Sequence, residues 1–493
     1  MGIPSYYSYL IKNHSEILEA LTSAEHFYLD CNSIIYDIVN QFTFKLGQKM
    51  SENETEIILL VIQKIEEYIS LILPQKVTIT FDGIAPFAKL CQQRERRFKS
   101  YYQNKIKKRL KKSIVSDFWD TAKITPGTPF MKLLTKMVKE HFDGRNYNIF
   151  ACDVPGEGEH KLFEVLRSTE SQEKHVVYGL DSDLIMLGML HLDICPNIFL
   201  YRETPVYIKS INPSLDENQD YLLNLRLLSE LISKEMGGNI VDYVFISFLM
   251  GNDFMPHFPS LNIRTGGIDK IITAYRSHPK QIITIDREKK DIGFNWQNFR
   301  GFLSYLCDKE EEYIKTEYAV RERKRFQDTD KWQRFESTPM IDREIEIYIN
   351  PKKSGWEERY YDSLFDKKCY PEDYIKGLIW NMTYYVFGCI DYDWHYPYHY
   401  PPLLKDLIKC VPAYHEHIIW EKIENDITDV EQLCYVLPVG SLHILPNEIR
   451  SKLKKEWYVD DCAFSWAFCK YFWESHTDLP EIDFMELRKC LNI

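Results

Sequence analysis

The chain has 493 residues, 45% of them hydrophobic and 27% charged, and carries a net charge of −12 at pH 7. That is the composition of a globular protein of two or three domains, or of one large elaborated domain. With no apolar run of about 18 residues there is no transmembrane helix to propose. The net acidity argues against a nucleic-acid partner unless the basic residues are gathered in one place.

Residues 1–26 begin with a turn and continue as a helix with an apolar stripe. Residues 27–29 then read as a buried strand, closed by Asp30. A helix over 54–73 has a clear amphipathic period. The strand VTITF at 77–81 is the plainest in the chain, and it too ends in an acid, Asp82, followed by Gly83. The segment 89–112, KLCQQRERRFKSYYQNKIKKRLKK, has no Pro or Gly and runs as one helix with eleven Lys or Arg against one acid. Most such runs are solvated faces. Here Lys89, Gln93, Arg96 and Arg97 fall at i, i+4, i+7 and i+8, inside an arc of roughly 100°. One face thus offers an amine, an amide and two guanidinium forks, a set suited to phosphate.

A helix over 128–141 and a strand over 147–151 lead to the stretch around which the chain is organised, 151–188. It holds two acid pairs, Glu157/Glu159 and Asp181/Asp183. The i, i+2 spacing separates side chains by about 200° in a helix, so neither pair can share a helical face. Pro155, Gly156 and Gly158 make the first pair a loop opening into a helix over 159–167. The second pair follows the strand HVVY at 175–178 and precedes the apolar helix 184–190, with Asp183 as the expected N-cap. A strand at 198–201, a loop at 210–220 and helices at 222–236 and 241–250 follow. The last runs into GNDFMPH, which offers Asp253.

Either acid pair alone is commonest as a turn or a cap, and Asp253 alone as a turn residue. Three strands ending in an acid, at Asp30, Asp82 and Asp181, describe a mostly parallel sheet with helices between. Its carboxyl edge is where open α/β sheets bind ligands. Clustered carboxylates there suit hard divalent cations. Residues 278–370 are more charged, with a mixed-charge run at 310–325, and read as an elaboration packed on the core. The aromatic segments WNMTYY at 380–385 and YDWHYPYHYPP at 392–402 read chiefly as aromatic–proline core, with one or two rings left to stack a base. The last ninety or so residues read as helices and short loops with an acidic tail segment.

The segments MGIPSYY, YLDCNSIIY, FDGIAPFAKLCQQRERRF, PGEGEHK, YGLDSDLIMLG and GNDFMPHFP resemble the motifs of the Xrn/Rat-type 5′-3′ exoribonucleases. So do YIKGLIWNMTYYVFGC and DWHYPYHYPPLLKDL, and more faintly LPVGSLHILP. The resemblance covers nearly the whole chain, weakly over 278–370. It implies an α/β fold with a mostly parallel sheet flanked by helices, a 5′-nuclease or PIN-like core, and a largely helical C-terminal elaboration. By the same resemblance, 1–277 is the catalytic region, 278–370 a variable charged connection, and 371–493 an aromatic-rich helical region packed on the core. Set against that family, the expected form is a compact one, a catalytic core alone, without a long extension or a zinc knuckle.

The resemblance also implies roles. Asp30, Asp82, Glu157, Glu159, Asp181, Asp183 and Asp253 stand where the family places its Mg²⁺ ligands, for two ions with Mn²⁺ as a substitute. Lys89, Gln93, Arg96 and Arg97 stand where it grips a 5′-phosphate. Trp394 stands where a Trp stacks the first base; Tyr36 and Tyr392 occupy positions usual for a His and a second Trp. The implied substrate is single-stranded RNA with a 5′-monophosphate, degraded processively to mononucleotides by a monomer with no membrane partner. The 12 scattered cysteines, with no C-x-x-C, fit a reducing compartment inside the cell. The cytoplasm comes first and the nucleus second, since the basic helix also resembles an import run. Two other readings stand beside this one: a flap-type DNase, and an RNA-binding scaffold with a decayed site.

Overall fold

The computed structural model of the chain describes all residues except 1, 2, 4, 45, 46, 48, 112–118, 206, 207, 324–329, 366, 367, 414–422, 424, 425, 492 and 493. Lys112, Lys324 and Arg325, the ends of the two predicted charge runs, therefore lie outside the described residues.

A seven-stranded sheet forms the centre. Its strands are β1 (Leu18–Ala20), β2 (His26–Asp30), β3 (Lys76–Thr80), β4 (Tyr147–Phe150), β5 (His175–Tyr178), β6 (Ile198–Arg202) and β7 (Tyr221–Asn224). Their spatial order is β1-β7-β6-β5-β2-β3-β4. The run from β6 to β4 is parallel, and β7 and β1 close one edge antiparallel. The side chains alternate as a pleat requires. Phe27, Leu29, Val176 and Tyr178 enter one hydrophobic cluster, while Tyr28 and Val177 enter the cluster on the other face. Both faces are covered, which is why these strands read as continuous apolar runs.

The edge departs from the sequence expectation. The helix expected through residue 26 is confined to Tyr6–Asn13, and the chain then turns through a 3₁₀ segment into β1. The loop expected at 210–220 begins with the tail of a short helix, Ile208–Ile211. The helix expected from 222 begins at Leu225, because Leu222 and Leu223 pair with β6 and β1 instead. Asn224 ends the strand and caps the helix, accepting from the Leu227 amide at 2.9 Å. Asp183 is not an N-cap either. Ser182 holds that position, and Asp183 is the first residue of helix Asp183–Leu190.

One hydrophobic cluster runs from Leu10 and Leu184 through Phe245, Trp296 and Leu303 to Trp380 and Leu404. Residues on both sides of positions 277 and 370 therefore share a core. Within 278–370 lie a β-hairpin, β8 (Ile283–Asp286) with β9 (Asp291–Phe294), and the long helix Trp296–Arg323. The mixed-charge run on this helix has an exposed side, with Glu311, Glu312 and Glu322, and a buried one. Glu310, Glu317 and Arg321 are buried. Arg321 pairs with buried Glu346 at 2.5 Å and donates to the Cys469 carbonyl at 2.7 Å. Glu346 also accepts from Arg343 at 2.6 Å and from the Phe468 amide at 2.9 Å.

This network pins the C-terminal segment to the middle of the chain. Removing one partner of a buried pair leaves a charge unmatched and costs about 3–5 kcal/mol. Arg321→Met is expected near the lower end, since Arg343 stays with Glu346. Urea denaturation of the variant against the parent measures it.

Candidate active site

The sheet order puts β5, β2 and β3 side by side, so their carboxyl ends are neighbours. Asp30 closes β2, and Asp82 and Asp181 follow β3 and β5. Glu157 occupies the N-cap of helix Gly158–Thr169 with Glu159 in its first turn, and Asp183 opens the next helix. Helix N-termini favour anions. Asp253 follows the 3₁₀ turn Phe248–Met250. Gly158 stands where a side chain would not fit. A Cβ there would meet Asp30 Oδ1 at 2.8 Å and Thr80 Oγ1 at 3.2 Å, and the Gly158 amide donates to Asp82 Oδ1 at 2.8 Å.

Electrostatics ties the seven acids into one site. Burial, then the charges of Asp82 and Asp181, pushes Asp30 up to about 8. Burial, helped by Asp253 and Asp181, pushes Asp183 up to about 6. Glu159 is raised well above the carboxylate range by burial and by Glu157, Asp183 and Asp181. Glu157 is raised by burial and Asp82, against the pull of Lys89. Burial also acts to raise Asp253, but the Lys89 ammonium overrides it and holds that carboxyl well below its usual range. Every predicted acid thus repels at least one other.

One lysine cannot balance this. Lys89 Nζ lies 2.5 Å from Glu157 and 2.7 Å from Asp253, while Asp30, Glu159 and Asp183 each feel the charge of Asp181. Asp30 Oδ1 is buried with no hydrogen-bond partner. Glu157, Glu159 and His160 bring ligand atoms within 4.8 Å of one another. The seven carboxylates, with an orphaned oxygen on Asp30, form an oxygen-rich set that fits Mg²⁺ or Mn²⁺.

The predicted phosphate-binding face belongs to helix Phe87–Lys111, and it abuts this site. The charge of Arg96 reaches Asp253, and that of Arg97 reaches Asp82 and Tyr36. Gln93 is buried, and Gln93 Oε1 and Arg97 Nε are buried polar atoms without a hydrogen-bond partner. Arg97 does donate from Nη2 to the Ile124 carbonyl at 3.3 Å. Lys89 differs from the other three, because its ammonium is committed to the carboxylates. Part of the other side of the helix is wrapped by the C-terminal segment, while Lys107, Lys108 and Arg109 are exposed. Arg94 donates to the Pro480 carbonyl at 2.7 Å, Lys99 to the Ser475 carbonyl at 2.6 Å, and Tyr101 to Asp460.

Two family models match this chain. The XRN 5′-3′ exonuclease N-terminus matches residues 1–204, and the Xrn1 helical domain matches 234–351 and 309–491. The chain belongs to the Xrn family. Among its relatives, the 5′-3′ exoribonuclease 2 homolog of Drosophila melanogaster is 25% identical, over 95% of this chain and 65% of that protein. The 5′-3′ exoribonuclease 1 of Saccharomyces cerevisiae is 24% identical, over 92% of this chain and 40% of its own length. The human 5′-3′ exoribonuclease 1 is 25% identical over 100% of this chain, which spans 34% of it. Among solved structures, the catalytic core of Rad2 in complex with DNA substrate aligns with a TM-score of 0.35 at 13% identity, over 66% of this chain and 81% of that one. That likeness is too distant to inform the site.

Several residues of this Xrn-family site escape a reading of the sequence. Tyr384 donates to Glu157 Oε1 at 2.6 Å, and Tyr385 to Asp183 Oδ1 at 2.8 Å. Both come from helix Pro371–Phe387, over 200 residues downstream of their partners. His160 stacks on Tyr384 with ring centroids 3.7 Å apart, and burial holds it neutral. Lys161 donates to the Phe81 and Ala151 carbonyls at 2.8 and 3.2 Å, tying the ends of β3 and β4 together beneath Asp82. The available signal was two adjacent tyrosines in the mostly apolar run 377–387, since a buried hydroxyl needs a partner.

The predicted stacking residues are Trp394, Tyr36 and Tyr392. Trp394 is partly buried, with its ring on Trp380 at 4.7 Å and 26°. Tyr36 lies by Arg97, and Tyr392 by Glu157.

Two expected results follow from this geometry. Tyr385→Phe leaves the fold intact but frees Asp183. Loss of such a supporting hydrogen bond costs about 10–100-fold in metal affinity or activity, read as a shift in the Mg²⁺ dependence of RNA cleavage. The second concerns pH. Asp30 and Asp183 hold protons more tightly folded than at the ordinary carboxyl value of 3.8. Their contribution to stability is full below that value. It is lost as the pH rises through about 6 for Asp183 and about 8 for Asp30. While a carboxyl is protonated in the folded chain and ionised in the unfolded one, the loss is about 1.4 kcal/mol per pH unit. Melting temperatures in EDTA are therefore expected to fall between pH 5 and 8, and the gap opened by Mg²⁺ to widen. A constant gap counts against this account.

Proposed function

We propose that this chain is a Mg²⁺-dependent 5′-3′ exoribonuclease that removes mononucleotides processively from single-stranded RNA bearing a 5′-monophosphate. The observation that carries the reading is the contact between seven mutually repelling carboxylates and one face of a basic helix whose Gln93 and Arg97 have unsatisfied polar atoms. Family membership supports the same activity.

Asp30, Asp82, Glu157, Glu159, Asp181, Asp183 and Asp253 would hold two divalent ions. Such ions supply charge neutralisation, water activation and stabilisation of the leaving oxygen. The protein's own groups do the rest. Gln93, Arg96 and Arg97 bind the terminal phosphate, and guanidinium forks match its oxygens. The helix is anchored at both sides, so the phosphate sits at a fixed distance from the carboxylates, and cleavage falls one nucleotide in. A pocket for one phosphate excludes a triphosphate or a cap. Tyr384 and Tyr385 hold Glu157 and Asp183 in orientation, and Lys89 secures the helix to Glu157 and Asp253. A cleft of about 840 Å³, lined by Arg96, Lys99, Asp253, His395 and Tyr398 among others, offers a path for the strand. Aromatic stacking of bases tolerates any sequence.

The free cysteines support action in a reducing compartment inside the cell, with the cytoplasm favoured. We take the active form to be a monomer. The test is decay of one RNA with a 5′-monophosphate, 5′-triphosphate or 5′-hydroxyl, in Mg²⁺ and in EDTA. Mg²⁺-dependent release of mononucleotides from the monophosphate form alone is expected. Equal decay of all three ends would remove the phosphate pocket. Cleavage of flapped DNA in preference to RNA would favour the DNase reading.

A further inference from the structure

A second group of potential metal ligands lines the same cleft as Asp253. Glu95 comes from the basic helix Phe87–Lys111, His399 from the segment between helices Pro371–Phe387 and Leu404–Cys410, and His476 from strand His476–Thr477. Each offers one ligand atom, and these atoms lie within 4.8 Å of one another. His399 Nδ1 is 3.5 Å from Glu95 Oε1. His399 and His476 stack with centroids 4.8 Å apart and planes at 21°. We propose that Glu95, His399 and His476 form a site for one divalent transition-metal ion of the zinc class.

The donor set selects that class. Two imidazoles and one carboxylate are a common ligand set for Zn²⁺ with an open fourth position, whereas Mg²⁺ prefers the oxygen-rich site. Metal–ligand bonds of about 2.0–2.1 Å in a tetrahedron put ligand atoms roughly 3.3 Å apart. The Glu95–His399 separation already matches. The other separations are within 4.8 Å, and His399, whose side chain is 43% exposed, has room to adjust. His476 is the group an ordinary ion pair leaves unexplained. Neither of its ring nitrogens hydrogen-bonds to a described residue, and burial keeps the ring neutral, the form that ligates.

Lys99 and Arg96 lie in the same wall. Lys99 is held on the Ser475 carbonyl, and burial lowers its basicity. Their charge opposes any cation here, so the imidazole contacts must supply the affinity. A bound ion would clasp three remote segments of the chain across the cleft wall and leave its open position to the cleft.

Co²⁺ reports on such a site, because tetrahedral Co²⁺ has visible absorption bands that octahedral Co²⁺ largely lacks. The full chain, saturated with Mg²⁺ to occupy the carboxylate site, is titrated with Co²⁺ and then with competing Zn²⁺. One equivalent with tetrahedral bands is expected, displaced by Zn²⁺. His399→Ala and Glu95→Gln, both at partly exposed positions, should each weaken it at least tenfold, while Asp181→Ala should leave it unchanged. Absence of the bands would overturn the site, as would bands indifferent to both substitutions. Bands lost with Asp181→Ala would assign the ion to the carboxylate centre instead and equally overturn it.

Discussion

Asp181→Ala is expected to lower the rate of RNA cleavage at least a thousandfold while leaving the fold intact. The loss follows from the charge that Asp181 contributes. Its carboxylate bears on Asp30, Glu159 and Asp183, so it stands at the centre of the group that would hold the ions. Metal-centred charge stabilisation is worth several kcal/mol, and about 4 kcal/mol corresponds to about 10³ in rate. The stability of the same variant should move the other way. Two like charges 4 Å apart repel by about 4 kcal/mol at an effective dielectric of roughly 20. Removing one relieves that repulsion, so the unfolding midpoint in EDTA should be unchanged or higher. The added stability that Mg²⁺ confers should shrink. Single-turnover cleavage and paired denaturation curves measure both. Cleavage at the parent rate would show that these acids are not the reacting centre.

The second large effect is expected at Arg97. Its guanidinium is partly satisfied by the Ile124 carbonyl, but Nε is buried without a partner. A phosphate completes that inventory, and one hydrogen bond to a charged group contributes about 1.5–3 kcal/mol. Arg97→Ala should therefore raise KM for 5′-monophosphorylated RNA by about 10–100-fold and leave decay of 5′-hydroxyl RNA nearly unchanged. Arg97→Lys should rescue only part of the loss, because an ammonium cannot reproduce a planar fork. An equal loss on both ends would mean that Arg97 supports the fold of the site rather than reading the phosphate. Position alone makes that outcome meaningful, since Arg97 also touches the segment around Ile124.

The parallel strands and their terminal acids were legible because both signals are local. A buried strand is a short apolar run, and the acid that ends it lies one to three residues away in the chain. The polar face of the basic helix was legible for the same reason, since helical geometry fixes the angles between Lys89, Gln93, Arg96 and Arg97 wherever the helix lies. What the sequence could not disclose were the contacts between distant segments. Strand β7 was hidden in a helical pattern because Leu222 and Leu223 suit either structure, and only the open edge of β6 decides between them. The charge run near residue 321 gave no sign of its buried pairing because its partner, Glu346, arrives from another helix. Lys89 was legible on its helix face, but its pairing with Glu157 and Asp253 was not. Tyr384 and Tyr385 looked like core until their hydroxyls met Glu157 and Asp183, 227 and 202 residues away. Sequence by itself determined which side chains line each strand end and helix face. Only the tertiary structure decided which of them meet, because hydrogen bonds and ion pairs depend on distances that spacing along the chain does not set.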